Sequence, residues 1–229
     1  MNFFKSISGQ IQGKSLSQLV ANFRNEYISN GIQESELKDN PIDQFEVWFN
    51  EAVTNKLREP NAMHLATATP DGKPSGRVVL LKGFDERGFI FYTNYASRKA
   101  HEIEANSYGA ITVLWLELYK QVRVEGTLQR VPPIESSHYF NSRPRGSQIG
   151  AWASMQSQPI NDRQELETRL EDIERRFSGK PVERPENWGG YCLSPTKVEF
   201  WLGRANRLHD RILYELQADH SWTKQRLSP

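Results

Sequence analysis

The stretch that most limits the folds open to this chain runs from Arg77 to His101. Two short apolar runs, Arg77-Val-Val-Leu-Leu-Lys82 and Phe89-Ile-Phe-Tyr-Thr93, flank Gly83-Phe-Asp-Glu-Arg-Gly88. Apolar runs on either side of a turn rich in Gly and Asp predict a β-hairpin. Cations crowd its ends. Arg77 and Lys82 bracket the first strand, Tyr92 and Thr93 close the second, and Ser97-Arg98-Lys99 opens a helix expected to reach about Asn106. Positive charge in a first helical turn opposes the macrodipole. A bound anion would resolve that conflict, because free N–H groups, a hydroxyl and two cations converge on it. The hairpin is therefore a candidate phosphate site, against the alternative that its charges are simply solvated.

The same texture continues on both sides. Ala62–Thr69 reads as a strand, Pro70–Lys73 as a tight turn and Gly76–Lys82 as the partner strand. Further strands are expected over Ala110–Leu116, Gln121–Gln129, Gly190–Leu193, Lys197–Leu202, Ile212–Leu216 and Trp222–Leu227. Helical spacing marks Leu16, Leu19, Val20, Phe23 and Tyr27. A second helix is capped by Asn40 and Pro41, has Phe45, Trp48, Phe49, Ala52 and Val53 as its apolar face, and should stop before Pro60. Pro133 opens a short helix holding His138, Tyr139 and Phe140; Arg143–Trp152 reads as a polar loop entering a helical turn. Leu166, Leu170, Ile173 and Phe177 mark a charged amphipathic helix ended by Gly179. About eight strands at hairpin spacing without a βαβ repeat predict a mainly β (α+β) fold. A small, closed or nearly closed antiparallel barrel with flanking helices fits best. Residues 1–14 read as a mobile tail and 15–229 as one domain.

Composition removes several function classes. The 229 residues carry a formal net charge of +1. A general nucleic-acid or membrane-surface binder would carry a basic excess, so any basic patch here serves a small anion. The single cysteine, Cys192, excludes an internal disulfide framework and a Cys-rich zinc site. The five histidines show no zinc-ligand spacing, so no metal is expected. Glycine fingerprints of nucleotide sites and the Gly-x-Ser-x-Gly elbow are missing. No run of about 18 apolar residues and no signal peptide is visible, so a cytoplasmic protein is expected.

What remains is polar clusters at strand ends and loops. One is Arg77, Lys82, Tyr92, Thr93, Ser97, Arg98 and Lys99; a second is Tyr139, Asn141, Ser142, Arg143, Arg145, Ser147 and Gln148. Gln156-Ser157 is a third, and Trp201 with Arg207-Leu208-His209-Asp210-Arg211 a fourth. The first two are rich in groups that bind dianions, which suits a phosphorylated cofactor beside a phosphorylated substrate. The bland alternative pairs these charges with each other on a wet surface.

Five segments taken together resemble one family. They are Arg77–Lys82; Phe91-Tyr92-Thr93-Asn94 with Ser97–Ala100; Arg143-Pro144-x-x-Ser147-Gln148-Ile149-Gly150-Ala151-Trp152; Trp188-Gly189-Gly190; and Glu199-Phe200-Trp201 with Arg207–Arg211. In this order they are similar to pyridoxamine 5'-phosphate oxidase, from about Arg24 to Pro229. The resemblance implies an FMN-binding split β-barrel, working as a homodimer with flavin at the subunit interface. It implies oxidation of pyridoxamine and pyridoxine 5'-phosphates to pyridoxal 5'-phosphate by O2, releasing H2O2, and ammonia from the amine. By the same resemblance FMN would contact Arg77, Val78, Val79, Leu80, Leu81, Lys82, Tyr92, Thr93, Arg98 and Lys99, and also Gln121, Gln156, Ser157, Trp201 and Arg211. The substrate phosphate would meet Lys82, Tyr139, Arg143 and Ser147. Arg207, Leu208 and His209 would lie against the pyridine ring, with Arg207 placing C4' and His209 supporting it. Arg24 and Tyr27 would belong to a segment closing over the substrate. Leu202, Glu59 and Lys120 depart from the family pattern. A split-barrel relative that oxidises or reduces another substrate on FMN, such as a flavin oxidase of secondary metabolism, should lack the second phosphate cluster.

Overall fold

Aromatic and β-branched residues at alternate positions build a two-faced sheet. The computed structural model describes Tyr27 and residues 29–229. The described residues form nine strands: β1 (Ala62–Ala68), β2 (Pro74–Leu80), β3 (Gly83–Asp85), β4 (Gly88–Asn94), β5 (Tyr108–Trp115), β6 (Lys120–Arg130), β7 (Trp188–Leu202), β8 (Asp210–Leu216) and β9 (Trp222–Leu227). All pairings are antiparallel, in the order β2-β1-β5-β6-β7-β4-β3, with β8 and β9 attached through β7. The expected tail, the helix over Leu16–Tyr27 and Arg24 lie outside the described residues, Tyr27 excepted.

β7 shapes the sheet. One edge pairs with β6 along its length, whereas the other pairs first with β4 (Trp188–Leu193) and then with β8 (Lys197–Leu202). The changeover falls at Ser194-Pro195-Thr196, opposite a register shift at Glu125/Gly126. Pro195 cannot donate to a ladder, and a side chain at position 126 would collide with the Ser194 carbonyl. The strand therefore bends and serves two wings of a half-barrel. Sequence spacing predicts two strands here, because Pro195 reads locally as a break.

The β-hairpin expected from Arg77 to Thr93 is not formed as drawn. β2 pairs with β1, and the hairpin partner of β4 is the short β3. The chain turns at Leu81 and Lys82, where Leu81 enters the core and the Lys82 amide still reaches the Ile90 carbonyl at 2.8 Å.

Five α-helices are described: α1 (Pro41–Thr54), α2 (Arg98–Ala105), α3 (Pro133–Ser142), α4 (Arg145–Ala153) and α5 (Arg163–Arg176). The Asn40 side chain accepts from the Ile42 amide at 2.8 Å, and Pro41 occupies the first turn of α1. The helix buries Ile42, Phe45, Trp48 and Ala52, while the expected core residue Val53 is exposed. Phe45 stands edge-on to Phe84 and Phe89, with centroids 5.0 and 4.9 Å away. The segment expected to be a polar loop, Arg143–Trp152, is mostly the helix α4. Its first amides, Ser147 and Gln148, donate to the Pro144 carbonyl. Arg145 is tied to the Lys180 and Phe177 carbonyls, which makes it a structural anchor for α5. No described helix is long and apolar enough to cross a membrane.

Candidate active site

A cleft of about 820 Å³ opens between β2, β4, the start of α2 and the α3–α4 corner. β2 contributes Arg77, Val78, Val79 and Leu80, with Lys82 just beyond it. Tyr92 and Thr93 come from β4, Arg98 and Lys99 from α2, and Gln156 and Ser157 from the loop after α4. Tyr139, Arg143 and Ser147 complete the second expected cluster on the same cleft. Leu81 does not line it; its side chain is in the core.

One end of the cleft is a cation pocket. Arg77 Nη1 donates to Thr67 Oγ1 (2.6 Å) and the Leu65 carbonyl (3.2 Å); Nη2 donates to Ser75 Oγ (2.5 Å) and Glu102 Oε2 (3.2 Å). Arg98 Nε donates to Glu102 Oε1 at 2.8 Å. Lys99 is buried, and its Nζ donates to Gln156 Oε1 (2.8 Å), Thr93 Oγ1 (3.0 Å) and Ser97 Oγ (3.2 Å). Burial pushes the Lys99 ammonium down to about 8, and Arg77 pushes in the same direction. A desolvated ammonium held by neutral oxygens, beside two guanidinium groups, fits a phosphate dianion.

The other end is aromatic. Tyr92 and Tyr139 stack at 3.9 Å and 14°, and Tyr92 lies nearly parallel to Trp188 at 5.5 Å. Burial, then the charge of Glu135, raises the Tyr92 phenol to about 12, so it stays protonated. Arg143 lies over Trp188, its Cζ 4.6 Å from the ring centroid. Its Nη1 is buried without a hydrogen-bond partner among the described residues, and burial lowers its pKa. An orphaned guanidinium nitrogen is costly unless a ligand pairs with it.

The remaining expected residues gather elsewhere. Gln121, Trp201 and Arg211 align in register across β6, β7 and β8. Arg211 is gripped by Glu199, Nε to Oε1 at 2.9 Å and Nη2 to Oε2 at 3.0 Å. Trp201 packs on His209 at 4.6 Å, and Tyr27 stands edge-on to both at 5.8 and 5.5 Å. The Arg204 amide donates to His209 Nδ1 at 3.1 Å, which places the ring proton on Nε2. Burial and the charge of Arg207 lower the His209 pKa, so the ring is neutral near pH 7. Asn206 and Arg207 are left-handed (φ 55° and 62°), an uncommon conformation for side chains larger than Gly. Leu208 is exposed. Tyr27, Gln121, Trp201, Arg207, Leu208, His209 and Arg211 do not line the cleft. Within one chain the site is thus in two parts.

Of the three departures, Leu202 faces the core, on the opposite side of β7 from Trp201. Glu59 sits in the turn before β1 with φ 47°, and Lys120 pairs with Glu51 beside the Trp48 ring. Asp210 is structural, paired with Arg204 and Arg226. Cys192 is buried and its thiol is pushed up to about 11 by burial, so it is inert near neutral pH. Trp188, Glu102 and Glu199, none of them among the expected site residues, prove to be in contact with those that are. The Arg98/Glu102 i,i+4 spacing was a readable signal.

The sequence model described as pyridoxamine 5'-phosphate oxidase matches residues 49–177, and that described as the pyridoxine 5'-phosphate oxidase C-terminal dimerisation region matches 188–229. The pyridoxine/pyridoxamine 5'-phosphate oxidase of Rubrobacter xylanophilus is 58% identical over 210 residues, covering 92% of this chain and 96% of that one. This chain belongs to the pyridoxine/pyridoxamine 5'-phosphate oxidase family, a family of oxidoreductases. The relative so described from a Nostoc species is 47% identical over 214 residues, covering 93% and 100%. Among solved structures, PhzG from Burkholderia lata, in complex with tetrahydrophenazine-1-carboxylic acid, superposes with a TM-score of 0.83 at 29% identity, covering 90% of this chain and all of that one. An FMN-binding, pyridoxamine 5'-phosphate oxidase-related protein from Nostoc punctiforme superposes at 0.67 with 18% identity over 84% of this chain and all of that one, which establishes the shared split-barrel fold. Family and fold together point to a flavin, and the matched dimerisation region points to a homodimer.

Proposed function

We propose that this protein uses FMN and O2 to oxidise pyridoxamine and pyridoxine 5'-phosphates to pyridoxal 5'-phosphate. The observation that carries the reading is one cleft that gathers two sets of cations: Arg77, Arg98 and Lys99 at one end, and Arg143, whose Nη1 has no partner among the described residues, at the other, with Lys82 also on its lining. A cofactor phosphate and a substrate phosphate account for both. A substrate without an anionic group would leave the buried Arg143 nitrogen unpaired.

Bound FMN supplies the two-electron chemistry, by which the C4' alcohol or amine becomes an aldehyde and O2 becomes H2O2, with water taken up and ammonia released from the amine. The chain's own residues bind and orient. Arg77, Arg98, Lys99 and Thr93 hold the cofactor phosphate. Lys82, Arg143, Tyr139 and Ser147 hold the substrate phosphate. Arg207 places C4', and the neutral His209 donates from Nε2 to keep the pyridine ring in position. The left-handed backbone at Asn206 and Arg207 is the kind of strain that persists where function requires it.

The two parts of the site come together across a homodimer in this reading. Val78 and Leu114 lie on the outer face of the sheet and are 68% and 50% exposed. Leu114 is paired directly with Gln121, in the row that continues to Trp201 and Arg211. Covering that face with a second copy buries these side chains and brings its Trp201 row to the cleft. Leu114→Arg should place an unpaired charge in that contact and shift the protein to monomer with loss of flavin. Sedimentation velocity with the flavin absorbance checks this; a yellow, dimeric variant would refute it.

Arg207→Ala should lower kcat by about tenfold or more, the worth of one lost charged contact in the transition state, while FMN stays bound. Steady-state rates beside flavin content decide it. The reading as a whole is tested by mixing FMN-loaded protein anaerobically with pyridoxine 5'-phosphate, then admitting air. Bleaching of the flavin, recovery in air and formation of pyridoxal 5'-phosphate are expected. Flavin that stays oxidised with both phosphorylated vitamers overturns the substrate assignment.

A further inference from the structure

Three cations converge on the cofactor end of the cleft from two elements, Arg77 from β2 and Arg98 and Lys99 from α2. They repel one another, and the long Arg98 side chain is largely exposed. Among the described residues, the one carboxylate paired with Arg77 and Arg98 is Glu102, one turn along α2 and buried. Its Oε2 accepts from Thr67 Oγ1 (2.5 Å), Ser75 Oγ (2.5 Å) and Arg77 Nη2 (3.2 Å), and its Oε1 from Arg98 Nε (2.8 Å). Four donors exhaust a carboxylate's usual acceptor sites. Glu102 is therefore not available to bind a ligand, and its role is toward its neighbours.

We propose that Glu102 is the positioning residue of the cofactor-phosphate pocket, locking Arg77 and Arg98 together and setting the pocket's charge to match a phosphomonoester dianion. The inference rests on the reading that this end of the cleft holds a phosphorylated flavin. Arg98 spends only Nε on Glu102 and makes no other hydrogen bond among the described residues, so its Nη atoms remain for an anion. Arg77 is held on four oxygens in a fixed plane. Three cations and one buried carboxylate leave a formal charge of +2, against about −1.5 to −2 on a phosphomonoester at pH 7. Without the carboxylate, the same anion would meet three mutually repelling cations.

The charge role has its own signature. Lys99 is faced by Arg77 from β2, by Thr93 from β4, by Gln156 from the loop after α4, and by Ser97, Arg98 and Glu102 around its own helix. Burial and Arg77 lower its pKa, and Glu102 opposes them. A dianion binds the protonated form. Above the free protein's value of about 8, binding must take up a proton, so affinity falls as pH rises, by up to about tenfold per unit. Removing the Glu102 charge moves that fall to lower pH.

The test titrates flavin-stripped protein with FMN and, in parallel, with riboflavin, following flavin fluorescence from pH 6.5 to 9.5; thermal melts verify folding. Wild type should prefer FMN strongly. Glu102→Gln should cut that preference on the order of tenfold, leave riboflavin affinity nearly unchanged, and start the alkaline fall at lower pH. Glu102→Asp keeps the charge but shortens the reach, so the preference should fall while the alkaline limb stays in place. If Glu102→Gln does not fold, the loss of preference in Glu102→Asp carries the test. A folded variant with unchanged FMN preference overturns the positioning role. An unmoved alkaline limb in Glu102→Gln overturns the charge role. Wild type that binds FMN no better than riboflavin overturns the underlying phosphate reading, and the inference with it, and is distinguished by failing before any variant is made.

Discussion

Replacing Arg143 with alanine is expected to raise KM for pyridoxine 5'-phosphate roughly 10- to 150-fold, the range for losing a hydrogen bond to a charged group. The kcat and the FMN affinity should change little. Arg143 reaches the cleft from the end of α3 and lies over Trp188, its Cζ 4.6 Å from the ring centroid. Its buried Nη1 has no partner among the described residues, so that nitrogen is already desolvated before a ligand arrives. That preorganisation makes the contact strong. The substrate phosphate does not change during oxidation at C4'. Its binding is therefore uniform between ground and transition states, and its loss falls on KM. Arg143→Lys should recover only part of the effect, because an ammonium neither stacks flat on Trp188 nor offers a fork. Steady-state kinetics on both vitamers decides the matter; KM unchanged within twofold would remove Arg143 from the substrate site.

Phe200→Ala should cost about 3–5 kcal/mol of stability, the range for truncating a fully buried aromatic. Phe200 has no exposed surface and stands edge-on to Trp48 at 5.1 Å and Tyr214 at 5.5 Å. It joins α1 to the middle of the sheet, where Val122 and Ile212 are its cross-strand neighbours. Total stability of a domain is only about 5–15 kcal/mol, so the variant should lose a large share of it. Phe200 and Trp201 are consecutive on β7 and point to opposite faces. A cavity behind Phe200 should therefore also loosen the Gln121–Trp201–Arg211 row. Urea denaturation at fixed protein concentration measures the first effect, and flavin content at low urea the second. A midpoint shift worth less than about 1 kcal/mol would show that the site collapses around the deletion.

Local chemistry in the sequence was enough to place most elements. Asn40-Pro41 predicted the start of α1 because capping and a fixed φ act within one turn, and that start is observed. The strands β1, β5, β6, β8 and β9 were recognisable by their apolar runs and turns, since both signals are local. The cleft's cationic groups were legible from Arg77, Arg98 and Lys99 and from Arg143 with Ser147, because each set stands at the ends of neighbouring expected elements.

Other features depend on neighbours that no local signal names. β2 pairs with β1 on one side only, and β4 turns back to β3, because Leu81 gains more by entering the core than by extending the strand. β7 runs through Pro195 because β6 presents Gly126 opposite it, a match between residues far apart in the chain. Val53 shares the spacing of a core face yet is exposed, since α1 covers only the width of sheet beneath Phe45 and Trp48. Glu102 acquires its partners only when Thr67, Ser75 and Arg77 are brought to it by sheet pairing. The sequence alone named the family, the strand-rich class and the groups that bind anions. Tertiary structure decided which of those groups share a cleft and which stand apart on the outer face, because pairing register and burial are properties of the assembled chain.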